Sequence, residues 1–151
     1  MEREWGIARA LSPPALLETR PRCFRAWQTT HDVSTIGEHT APGHIDQNPV
    51  VADGVEANAA FFQQIFDAFP DVRVVAHDVL VDGDRTAGRF EYSGTHQGTF
   101  FGVPATGRRL AFQSIDVWRV EDGLLAEHWD QPDMGGMFHQ LGVDFYALQK
   151  A

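Results

Sequence analysis

The chain has 151 residues, of which 43% are hydrophobic and 22% charged, a balance that fits one globular domain with a sizeable buried core and excludes a disordered or collagen-like chain. Its formal net charge of -9 and its twelve scattered Lys and Arg, never clustered beyond Arg108-Arg109, oppose binding to a phosphate backbone, so no nucleic-acid partner is expected. No apolar run approaches the roughly 20 residues of a spanning helix, the single cysteine, Cys23, cannot form an internal disulfide, and the amino end lacks a secretory apolar stretch, so a cytoplasmic protein outside the membrane is expected.

Residues 1–22 read as an extension or a broken first helix, because Pro13-Pro14 and Pro21 interrupt any hydrogen-bond ladder. A domain is expected over 23–146, followed by a short tail, 147–151. From Cys23 to His39 the sequence suggests two short helical turns, with Asp32 or Ser34 as N-cap of the second. TAPGHIDQNPVVADG then reads as a loop at a pocket mouth, since each proline biases its predecessor toward extended geometry. Val55 to Phe69 carries Phe62, Ile65, Phe66 and Phe69 at i, i+3, i+4, i+7 and predicts an amphipathic helix that Pro70 ends.

Strand signals follow in VRVVAHDVLV, RTAGRFEYSGTH, RRLAFQSIDVWRV and LLAEHWDQ, each rich in β-branched or aromatic residues and bounded by Gly, Asp or Pro. The segment after Pro132, MGGMFHQLGVDFYAL, predicts a helical turn capping the sheet with Met137, Phe138 and Leu141. Helices followed by a curved antiparallel meander give an α+β cone, with N-terminal helices packed on the sheet and a pocket enclosed between them.

Whether the acids of the last hairpin converge depends on the turn EDG. A two-residue Asp122-Gly123 turn would pair Glu121 with Leu124 and set Asp116 opposite Trp129, turning the acids apart. A three-residue Glu121-Asp122-Gly123 turn would pair Val120 with Leu124, set Asp116 opposite His128 and Ser114 opposite Asp130, and put Phe112, Ser114, Asp116, Trp118, Ala126, His128 and Asp130 on one face. The second register is expected, because it separates a matched Arg119/Glu127 pair from a cluster of unmatched acids.

Against an apolar wall these carboxylates would lose hydration and rise toward the working range of an acid/base catalyst, which makes Asp130, Asp116 and His128 the candidate proton-transfer set. Solvated strand-end groups are the structural alternative. Trp118 shares their face and is suited to stacking on an aromatic substrate, whereas the helix phenylalanines Phe61, Phe62, Phe66 and Phe69 are mostly core by default, with Phe66 and Phe69 the two expected to reach a ligand. His96 in GTHQG lines the pocket mouth or hydrogen-bonds its own turn. The histidines show no HExxH-type spacing, so no metal site is expected, and no GxSxG elbow supports a covalent nucleophile.

GTHQGTFFGVPATGRR, the strand-turn-strand IDVWRVEDGLLAEHW and the acid directly after that tryptophan, in this order, resemble the SnoaL-like polyketide cyclases of the NTF2-like superfamily, from about His44 to Gly142. The resemblance implies an α+β cone without cofactor or metal, acting on a hydrophobic small molecule, in which an acid on the last strands serves intramolecular aldol ring closure. Asp130 matches that acid. Asp116 falls where members often carry a histidine or another polar group, and HIDQNP matches a loop whose His or Asn, here His44 or Asn48, lines the cavity.

Two other functions stay open. Arg89 and Glu91, at i and i+2, with Asp116 or Asp130, suggest an acid-Arg-acid relay for epoxide opening, and the same cone serves elsewhere as a non-catalytic ligand-binding module. Ile115, Val117, Leu125 and Trp129 are expected on the outer sheet face, where they predict a homodimer.

Overall fold

The computed structural model describes residues 31–144. The expected amino-terminal extension, the first of the two helical turns before His39 and the tail lie outside the described residues. Described elements begin with a 3-10 helix, Val33–Glu38, whose N-cap is Asp32, its carboxylate accepting from the Ser34 backbone N–H at 2.9 Å. There follow β1 (Thr40–Asp46), α1 (Val55–Ala68), β2 (Arg73–Asp82), β3 (Arg85–Thr95), β4 (Arg109–Glu121), β5 (Leu124–Pro132) and α2 (Met134–Leu141).

The sheet order is β1-β5-β4-β3-β2, with β1 parallel to β5 and the other neighbours antiparallel. The strand β1 corrects the expectation of a loop over TAPGHIDQNPVVADG. Its Pro42 and Gly43 fall where the pairing with β5 shifts register, between Thr40 and Ile45, and β1 is an edge strand, where a missing N–H is tolerated.

The apolar side of α1 and the short α2 close over one end of the sheet. Phe66, Phe69, Leu110, Met137, Phe138 and Leu141 form the centre of the core, each stabilising the fold by about 1.5–3 kcal/mol through removal from water. Asp133 caps α2 by accepting from the Gly136 N–H at 2.8 Å, and Gly142 ends it in the left-handed region at φ 81°. Ahead of β4, the loop after β3 is pinned to the end of α1, where Gln97 and Gly98 both donate to the Ala68 carbonyl. A Cβ on Gly98 would lie 2.5 Å from the Asp67 carbonyl oxygen, so this approach requires glycine.

The β4–β5 hairpin follows neither register considered above. Its turn has two residues, Asp122 (φ 50°) and Gly123 (φ 81°), and Glu121 pairs with Leu124. Such a turn twists with the strands and suits Asp-Gly, which is why it prevails over the three-residue loop. Alone it would turn the acids apart. The pairing then shifts between Val120/Leu125 and Arg119/Glu127, leaving Ala126 as the extra, bulged residue. That one-residue slip restores the even-with-even pairing, so Trp118 faces His128, Asp116 faces Asp130 and Ser114 faces Pro132. The acids therefore share a face through a bulge, and Asp116 stands opposite Asp130 and not His128. Leu125, expected on the outer face, pairs with Val120 and lines a small inner void. Arg119 and Glu127 are directly opposed outside, Nε to Oε2 at 3.2 Å.

Candidate active site

Between the inner sheet face, α1 and α2 lies a cavity of about 690 Å³, a size suited to an organic ligand of several rings. Its walls are mostly aromatic and sulfur-bearing side chains, Phe61, Phe62, Phe101, Phe112, Met134 and Phe138 among them. Most of its polar groups stand on one wall, Asp46 and Asn48 just at the end of β1, Tyr92 of β3, Ser114 and Asp116 of β4, and His128 and Asp130 of β5, while α1 contributes Asn58.

Asp116 is only 3% exposed. Its Oδ1 accepts the Ser114 hydroxyl at 2.5 Å and its Oδ2 lies 3.5 Å from the Tyr92 hydroxyl. Burial pushes this carboxyl up to about 6; the Ser114 hydrogen bond and the His128 charge act against the rise, and the nearby Asp130 adds to it. The Tyr92 phenol is held well above its usual range, by burial first and then by the charges of Asp116 and Asp130, so it remains a neutral donor. Asp130 takes two hydrogen bonds from Asn48, whose Nδ2 donates to each carboxylate oxygen at 2.9 Å.

His128 stacks on Trp118 with ring centroids 5.3 Å apart. Its Nδ1 lies 3.3 Å from Asp46 Oδ2. Burial is the largest influence on this imidazole and acts to lower it, but the Asp46 hydrogen bond and the charges of Asp46, Asp116 and Asp130 outweigh burial and hold it above its ordinary value. For Asp46 burial is again the largest influence and acts upward, yet the partnership with His128 and the Asn48 backbone N–H leave its carboxyl below the usual range.

Asp116, His128 and Asp130 each bring one potential ligand atom within 4.8 Å of the others, and they are the described residues that could hold a cation. In this structure Asp116 Oδ1 accepts from Ser114, both Asp130 oxygens accept from Asn48, and His128 Nδ1 lies against Asp46.

Of the sequence candidates, Asn48, Phe112, Ser114, Asp116, His128 and Asp130 line this one cavity. His44 and Trp118 stand behind His128, around a separate void of about 60 Å³. Trp118 therefore supports the imidazole from the rear and does not present its face to the main chamber. Phe66 and Phe69 belong to the core. His96, 0% exposed, stacks on Phe69 and bonds Thr106 Oγ1 at 3.1 Å, so it braces its own loop away from the cavity. Arg89 and Glu91 lie on the opposite sheet face: Arg89 donates twice to Asp78 Oδ2, at 3.0 and 2.8 Å, and Glu91 approaches His77. An acid-Arg-acid relay through Arg89 is thereby removed.

The sequence reading missed Tyr92 and Asp46. Tyr92 was within reach of a parity argument, because the β3–β4 pairing places it opposite Phe112. Asp46 had no comparable signal, since it reaches His128 only through the parallel pairing of β1 with β5.

The model of the SnoaL-like polyketide cyclases matches residues 19–141. An aklanonic acid methyl ester cyclase of Streptomyces peucetius is 33% identical over 106 residues, covering 70% of this chain and 72% of that protein. A nogalonic acid methyl ester cyclase of Streptomyces nogalater is 39% identical over 49 residues, covering 32% of this chain and 37% of its own. The solved structure of TsrD from Streptomyces laurentii superposes with a TM-score of 0.80 at 31% identity, over 88% of this chain and 98% of that one. The NTF2-like cone implied by the motifs is the fold observed, and with two thirds of the chain and more under a single family description, this protein belongs to the SnoaL-like polyketide cyclases.

Proposed function

We propose that the protein closes a ring in a hydrophobic polyketide by an intramolecular aldol reaction, using its own carboxylates and imidazole and no cofactor. The observation that carries this reading is the pairing of Asp116 with Asp130 across β4 and β5, opening into an aromatic chamber with His128 beside them. Asp130, with both oxygens steadied by Asn48, takes the proton from a carbon between two carbonyls; the resulting enolate carbon forms the C–C bond to a ketone, and His128 gives its proton to the new alkoxide. The proton on Asp130 then returns to the imidazole, so the enzyme is regenerated and the product is an isomer of the substrate. A carbon acid flanked by carbonyls is already labile, so positioning and tuned proton transfer suffice.

The names of two relatives support a methyl ester substrate, whose ester carbonyl would be one of the activating pair. Incubation with aklanonic acid methyl ester and nogalonic acid methyl ester, followed by chromatography and mass spectrometry, is expected to give a product of unchanged mass and altered retention. Recovery of both esters unchanged beyond the buffer rate would contradict the reading for this substrate class.

The protein acts as a homodimer in this reading. Leu80, Ala87, Val117 and Trp129 are in register across β2, β3, β4 and β5 on the outer face, and Leu80 and the neighbouring Ile115 are 72% and 56% exposed. A continuous apolar row of this kind favours burial against a second copy. Sedimentation equilibrium should find a dimer at micromolar concentration and a shift toward monomer in Leu80→Arg/Ile115→Arg; a wild-type monomer at that concentration removes the prediction.

A further inference from the structure

From the contacts around β1 we infer that Asp46 is a positioning residue: it grips the His128 ring through Nδ1, so that Nε2–H becomes the proton donor for the newly formed alkoxide. This deepens the cyclase reading and rests on it for the identity of the acceptor.

The argument begins with the loop that leaves β1. Asp46 Oδ1 accepts the Asn48 backbone N–H at 3.0 Å, and Asn48 Oδ1 accepts the Val50 N–H at 3.1 Å. Two successive Asx turns thus fix both side chains by their own backbone. A further bond, from the Asp46 N–H to Asp53 Oδ1 at 3.0 Å, ties the segment to the approach of α1. So held, Asp46 offers Oδ2 to His128 Nδ1, and Asn48 offers its amide to both oxygens of Asp130. One short segment therefore orients the acid and the base of the proposed reaction together, and Nε2 is the imidazole nitrogen left for substrate.

The same carboxylate oxygen lies 4.0 Å from His44 Nε2. His44 Nδ1 must donate to the Leu125 carbonyl, 3.0 Å away, because a carbonyl only accepts. Burial, the largest influence, lowers His44, so its Nε2 is an unprotonated lone pair and not a competing donor. Asp46 is thereby left to His128. Around His128 the ionisable groups are Asp46 and His44 from β1, Tyr92 from β3, Asp116 from β4 and Asp130 on its own strand. Three of these are acids whose charge favours the imidazolium, and only Asp46 is hydrogen-bonded to it. The arrangement follows the general rule that a carboxylate on one ring nitrogen sets tautomer and basicity at the other.

The test is an imidazole ¹⁵N titration by NMR, which reads protonation without any substrate. In the wild type His128 should titrate above about 6.5 and carry its remaining proton on Nδ1 at high pH. In Asp46→Asn the midpoint should fall by about one to two pH units, the range expected for losing one charge-assisted hydrogen bond, and the high-pH limb of kcat should move down with it while KM changes little. Asp46→Glu should recover part of both. An Nε2–H tautomer in the wild type, or a wild-type midpoint below about 6.5, overturns the inference even if Asp46→Asn does not fold. So does a folded Asp46→Asn whose His128 midpoint and pH profile stay in place. Absence of ring closure with an intact NMR result would instead count against the cyclase reading alone.

Discussion

Replacing Asp130 by Asn is expected to slow ring closure by about 10²–10⁴-fold, the range typical of losing one positioned proton-transfer group, with little change in KM. The substitution preserves volume, and the Asn48 amide can still donate to the new carboxamide oxygen, so the cavity keeps its shape. What disappears is the ability to accept a proton from carbon. Steady-state kinetics on the methyl ester substrates, with thermal unfolding as a control, measure this. The comparison with Asp116→Asn assigns the base: if Asp116→Asn abolishes turnover while Asp130→Asn retains it, the base is Asp116 and not Asp130.

Asp116→Asn is expected to make the fold more stable near neutral pH. The rise of the Asp116 carboxyl from 3.8 to about 6 corresponds to a cost of ionisation in the folded state on the order of 3 kcal/mol, at about 1.4 kcal/mol per pH unit. Between these two values the folded chain binds a proton more firmly than the unfolded chain. Stability attributable to this group is therefore full below about pH 4, declines as pH rises to about 6 and stays low above it. Asn carries no such penalty and can still accept from Ser114. Denaturant titrations should thus show a gain of about 3 kcal/mol for the variant at pH 7.5 that fades toward pH 4, and at roughly 2–4 °C per kcal/mol a melting point higher by about 6–12 °C. A variant that is less stable at pH 7.5 would contradict the account of a buried carboxyl strained by its surroundings.

The strands from β2 to β5, α1 and α2 were legible because their signals are local: alternation of apolar residues, a 3.6-residue stripe ended by Pro70, and Gly, Asp or Pro at the strand boundaries. The convergence of Asp116 and Asp130 was legible only in part. Parity is a property of the whole hairpin, and it was restored by a bulge at Ala126 that a small, unremarkable residue does not announce. β1 was hidden behind Pro42, Gly43 and Pro49, which read as loop chemistry; its strand exists because β5 supplies a parallel edge. The depth of Trp118 was hidden for a related reason. Sharing a face of a strand does not say whether α1 or a neighbouring ring stands between a side chain and the chamber.

Hydrogen exchange at the acidic carbon tests the central claim most directly. A 1,3-dicarbonyl analogue that lacks the electrophilic ketone cannot cyclise, so in D₂O any protein-catalysed step it undergoes is proton removal and return at that carbon. The paired-aspartate chamber predicts rapid deuterium incorporation by the wild-type protein and loss of the catalysed rate in Asp130→Asn. Incorporation at the same rate by both proteins, or none above buffer by either while the analogue is demonstrably bound, would contradict it.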